Sequence, residues 1–177
     1  MTLDSYPFYF IKYENPLNNA VRRKLLYRFK STKSNYVYIV EVEKYEYDMY
    51  AVKFYPKQFR LSKHRYSLLT NTFEARKIIN SCVMIMMDVY KKNPKASFGF
   101  VGARSINEEQ AENVKRFRVY SKLMATYFSD AFFIHRENRE NNVYVMVNRC
   151  NLSDNPNFVV EMERYFNEHY VFNNEDE

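Results

Sequence analysis

Apolar and polar positions alternate through the first third of the chain. Over residues 35–44, Tyr36, Tyr38, Val40 and Val42 fall on one face and Val37, Ile39, Glu41 and Glu43 on the other. That period of two predicts a strand with a buried start and a wet end. Residues 6–13 are rich in aromatics and close at Asn15-Pro16, which predicts a second strand. Residues 25–30, where apolar and basic positions alternate, predict a third, and residues 47–55, ending at Pro56, a fourth. The short polar stretches between these strands fit an antiparallel meander.

The period then changes. From Phe73 to Lys92 the apolar positions are Ala75, Ile78, Ile79, Cys82, Val83, Met86, Val89 and Tyr90, spaced by three and four. They predict an amphipathic helix preceded by the capping residues Thr70, Asn71 and Thr72 and stopped by Asn93-Pro94. Ile79, Cys82, Val83 and Met86 are its expected core face. A short strand over 97–101 follows, with both of the chain's glycines, Gly99 and Gly102, near it. Their placement suggests a bulge or a close backbone approach. A second helix is expected over about 107–128, with Val114, Phe117, Tyr120, Met124 and Phe128 on its apolar face. Strands over 132–136 and 143–147 enclose a polar hairpin loop, and a final short helix or extension begins at Phe158. The expected fold class is α/β (α+β): a mixed, mostly antiparallel sheet flanked by helices. Residues 1–172 form a single domain in this reading, and 173–177 a disordered acidic tail.

Composition narrows the chemistry. Two glycines in 177 residues argue against Gly-loop nucleotide binding and Gly-rich linkers. Cys82 and Cys150 lack any CxxC spacing, and His64, His135 and His169 lack paired ligand spacing, so neither a disulfide framework nor a metal site is expected. The longest apolar run, 82–87, falls far short of the roughly 20 residues of a membrane span. The opening residues lack a secretory pattern. A cytoplasmic protein with no membrane partner is expected. Frequent Asn, Lys and Tyr with few Gly point to an AT-rich bacterial or phage gene.

The net charge of +6 is uneven. Residues 1–95 carry eighteen Lys and Arg against eight acidic residues, whereas residues 96–177 carry nine against thirteen. Arg22-Arg23-Lys24 and the basic run over 57–65 interleave with Tyr27, Phe29, Phe59 and Tyr66. That combination suits phosphates and stacked bases.

The order of strands and helices resembles the core of the GCN5-related N-acetyltransferase (GNAT) family over about residues 35–148. Asn113, Tyr120 and Lys122 stand at the offsets of a motif in that family's second core helix, with Met124 where a Gly is usual. The resemblance implies an acetyltransferase-like fold and acetyl-CoA as cofactor. It also implies a cofactor loop ahead of the first core helix, here at Thr70, Asn71 and Thr72 with Arg76, and Asn113 and Lys122 as further cofactor contacts. Tyr120 would be the catalytic acid that protonates the leaving thiolate. The loop departs from the family pattern. Residues 65–75 contain no Gly, and Glu74 would repel a pyrophosphate. Three functions stay open: a degenerate, non-catalytic binding or regulatory module with no cofactor and a protein partner; an acetyl-CoA-dependent N-acyltransferase; and a nucleic-acid-binding protein that uses the basic first half.

Overall fold

A computed structural model of the protein describes residues 3–16, 20–66, 72–101, 115–166 and 168. Seven strands form one sheet in the order β1-β2-β3-β4-β5-β7-β6. β1 (Phe8–Glu14), β2 (Arg23–Lys30), β3 (Val37–Lys44) and β4 (Met49–Pro56) make the expected antiparallel meander. α1 (Ala75–Lys92) then crosses to β5 (Ser97–Val101), which lies parallel to β4. α2 (Lys115–Tyr127) leads to β6 (Phe133–Asn138), and β7 (Val143–Asn148) returns between β5 and β6, antiparallel to both. α3 (Phe158–Phe166) follows. The protein is therefore a mixed α+β fold with a mostly antiparallel sheet and, among the described residues, three α-helices. None of these helices is long and apolar enough to cross a membrane.

The pleat sorts the side chains into two cores. Leu25, Tyr27 and Phe29 of β2 and Tyr38, Val40 and Val42 of β3 face α1 and α2, where they meet Ile79, Val83, Met86, Phe117 and Met124. On the rear face Met49, Ala51, Val143, Val145 and Val147 pack against Val159, Met162 and Phe166 of α3. The expected core face of α1 is buried throughout: Ile79 is 5%, Cys82 4%, Val83 0% and Met86 3% exposed.

The structure corrects two expectations. α1 begins at Ala75, not Phe73, because Phe73 holds a left-handed φ of 54° that no helix accommodates. Its N-cap is Glu74, while Thr70 and Asn71 lie outside the described residues. The far end of β3 is also dry. Glu41 and Glu43, expected in water, are each 6% exposed. Segment 57–66 folds back over this face, where the Tyr66 hydroxyl donates to Glu41 at 2.8 Å. Lys24 and Lys53 on the flanking strands neutralise the two carboxylates, with Lys53 3.3 Å from Glu43 and Lys24 3.4 Å from Glu41. These contacts hold Glu41 ionised. Burial would raise its pKa, but Lys24, Tyr66, Lys53 and Arg65 together bring it below the ordinary value. Residues 102–114, including Gly102 and the expected first turns of α2, lie outside the described residues, as does the acidic tail.

Gly99 marks a close approach. A Cβ on it would stand 2.6 Å from the Phe166 ring and 2.9 Å from the Met49 methyl. Both neighbours are fully buried and have little room to yield. Gly99→Ala is expected to cost about 1–3 kcal/mol in urea denaturation, and a second change, Phe166→Leu, is expected to recover part of the loss. An unchanged midpoint in Gly99→Ala would refute this packing.

Candidate functional site

The head of α1 is built around one carboxylate. Glu74 is 7% exposed and accepts hydroxyl hydrogen bonds from Ser31 at 2.6 Å, Tyr6 at 2.7 Å and Ser34 at 2.7 Å, and a further one from Thr72. Ser31 and Ser34 belong to the turn between β2 and β3, and the Ser31 hydroxyl also accepts the backbone N–H of Ser34 and of Lys33. Tyr6 is fixed by its own backbone N–H, which donates to Ser81 of α1 at 2.8 Å. Burial alone would push the Glu74 carboxyl up. The hydrogen bonds from Ser31, Tyr6, Ser34 and Thr72 outweigh it and hold the carboxyl below its ordinary value. Glu74 is therefore an anion at neutral pH, placed at the positive end of an 18-residue helix.

A groove of about 690 Å³ opens beside it, lined by Lys33, Phe73, Arg76, Lys77, Asn80 and Tyr127 among others. Its cations are partly engaged. The Lys33 ammonium donates to the Phe73 carbonyl at 3.2 Å, and Lys77 lies 2.8 Å from Asp4. Arg76 is exposed on the rim. The Phe73 side chain is 91% exposed.

The sequence-predicted residues divide into three groups. Thr72 and Arg76 both lie at the head of α1, where Thr72 bonds the Glu74 carboxylate and Arg76 lines the groove. Tyr120 lies elsewhere, where β4 and β5 part. Their parallel pairing ends at Ala51 and Gly99, after which β4 stays with β3 and β5 with β7. The Tyr120 ring spans this divergence, 5.3 Å from the Phe100 ring and 6.3 Å from the Phe54 ring. It is half-buried and does not line the groove. Lys122 is exposed on α2, and Asn113 lies outside the described residues with Thr70 and Asn71.

Of the interleaved aromatics of the basic half, Phe59 is half-buried and the other three are engaged in the fold. Tyr27 and Phe29 are 0% and 1% exposed in the front core, and the Tyr66 hydroxyl is committed to Glu41. Arg22 pairs with Glu46, and Lys24 with Glu41 and Glu43. Cys82 is buried among apolar side chains, which pushes its thiol up and leaves it inert. His135 is a packed residue, its Nδ1 2.8 Å from the Tyr144 hydroxyl and its Nε2 2.9 Å from the Phe128 carbonyl. No cluster of three metal-ligating side chains occurs among the described residues. Sequence reasoning missed Tyr6, Ser31 and Ser34, which lie 40 to 68 positions from Glu74. The serine-rich turn 31–34 was their one local signal.

No protein family matches the chain, and neither a curated protein nor a solved structure does.

Because the Glu74 carboxyl titrates below 4.5 when folded, its stabilising effect is complete above that pH. The effect drains away as pH falls through the lowered value. Glu74→Gln is expected to lose about 1–3 kcal/mol at pH 7, with the gap to wild type closing in acid. Denaturation curves from pH 7 to pH 3 measure this, and a constant gap would refute the charge as its source.

Proposed function

We propose that this chain is a GNAT-like module that has given up cofactor binding and acts as a non-catalytic binding or regulatory domain. The observation that carries the reading is the Glu74 carboxylate at the head of α1. In the family that the sequence resembles, this helix terminus receives a pyrophosphate. Here an anion that belongs to the chain is held there by the hydroxyls of Tyr6, Ser31, Ser34 and Thr72. A second anion brought alongside would meet repulsion in a partly buried setting, where charges are weakly screened. The residue before it adds to the misfit. Phe73 takes the left-handed conformation that suits Gly, so a phenyl group stands where a glycine would leave the backbone bare. These residues do not fit acetyl-CoA.

The kinship itself is supported by topology. The strand order, the passage through α1 between the parallel strands β4 and β5, and the divergence of those strands after three paired residues are what the resemblance implies. Tyr120 favours the acyltransferase as a second reading, because its ring lies at that divergence, between Phe54 and Phe100.

Calorimetry with acetyl-CoA at low salt separates the two. The wild type is expected to give no heat of binding up to millimolar ligand. Glu74→Gln is expected to bind more tightly than wild type by roughly 10- to 100-fold, the effect of about 1.4–2.8 kcal/mol. Micromolar binding by the wild type, with turnover abolished in Tyr120→Phe, would establish the acyltransferase instead.

A further inference from the structure

α1 and α2 cover the front of the sheet, and α3 covers the rear only over β4, β5 and β7. Among the described residues, no helix covers the rear of β1 and β2. Tyr27 and Phe29 point into the front core, so the alternating Arg28 and Lys30 project to the rear, and both are exposed. Register places Tyr9 of β1 directly opposite Arg28, and Tyr9 is 62% exposed. Segment 57–66, latched by Tyr66 onto Glu41, borders this face and carries Lys57, Arg60 and Lys63 at exposed positions.

The charge balance of this face is one-sided. Glu41 and Glu43 are buried and matched by Lys24 and Lys53, and Glu14 is matched by Lys12. Arg28, Lys30, Lys57, Arg60 and Lys63 have no carboxylate partner among the described residues. Five free cations beside an exposed tyrosine on a rigid strand surface make a positive field with a stacking platform.

We propose that this rear face binds single-stranded nucleic acid, its phosphates on the five cations and a base on Tyr9. A duplex is a poorer fit, since its bases are stacked and paired inside and leave none to lie on the Tyr9 ring. An anionic membrane is also poorer, since Leu61 is the lone fully exposed aliphatic residue of segment 57–66. The site lies on the opposite side of the sheet from Glu74 and stands or falls independently of acetyl-CoA binding.

Fluorescence anisotropy with a 5′-labelled oligothymidylate of about 20 nucleotides tests it. Five phosphate contacts at about 0.7 each predict roughly 100-fold weaker binding between 50 and 200 mM salt. The triple variant Lys57→Gln, Arg60→Gln, Lys63→Gln is expected to flatten that slope and weaken binding at 50 mM by at least about 10-fold. Tyr9→Ala is expected to weaken binding by about 5- to 100-fold with the slope unchanged. All four positions are exposed, and unchanged circular dichroism certifies the fold. The proposal is overturned by any of three results: no binding at 50 mM salt, equal affinity for a duplex of the same length or for anionic vesicles, or a neutral Tyr9→Ala.

Discussion

Three residue pairs hold the sheet together in the middle. Met49, Tyr50 and Ala51 of β4 lie beside Ser97, Phe98 and Gly99 of β5, and this parallel ladder is the one strand contact between the meander β1–β4 and the β5–β7 unit. Parallel strands need a crossover, which α1 provides, and the helix can lie flat on the sheet only if its apolar face is continuous. The ladder is so short that packing must reinforce it from both sides. Val83 and Met86 press on it from the front and Phe166 from behind, directly over Gly99. Small residues at Ala51, Ser97 and Gly99 are what allow α3 to approach the rear of this seam so closely.

Past Gly99 the strands separate, and the opening is stabilised by aromatic contacts. Tyr120 fills it against Phe54 and Phe100, and Phe100 in turn stacks on Tyr144 at 5.2 Å. The meander thus bears its chemistry at two separate places on the front, the Glu74 cluster and the Tyr120 cleft, with a third, cationic region behind. The chain's own carboxylate at the helix head makes an internal contact there. The internal contact ties the β2–β3 turn, the segment before β1 and α1 into one unit.

Much of the fold was legible in periodicity. The three-and-four spacing of Ile78, Ile79, Cys82, Val83, Met86 and Val89 names the buried face of α1, and alternation in β2 and β3 names the front core. What periodicity could not supply was tertiary cover. Glu41 and Glu43 alternate as a wet face should, yet a segment 57–66 that pairs hydroxyls and cations with them makes the face dry. The start of α1 was misplaced because propensity does not foresee Phe73 in a left-handed conformation. The candidate site was half legible. Glu74 was visible as an obstacle to pyrophosphate, but its donors come from Tyr6, Ser31 and Ser34, which only the folded meander brings near. The Arg-Tyr pairing across β1 and β2 was hidden for the same reason, since it depends on register.

The two carboxylate anchors, Glu41 behind the sheet and Glu74 before it, grip the chain at Tyr66 and at the head of α1. At Glu74 every donor is a neutral hydroxyl, and at Glu41 the grip on Tyr66 is also through a hydroxyl. Bonds of this kind have no counterion atmosphere to rearrange, so mobile ions barely weaken them. Brine that screens the exposed cations would leave this clasp, and with it the geometry of the strand surface it supports, little disturbed.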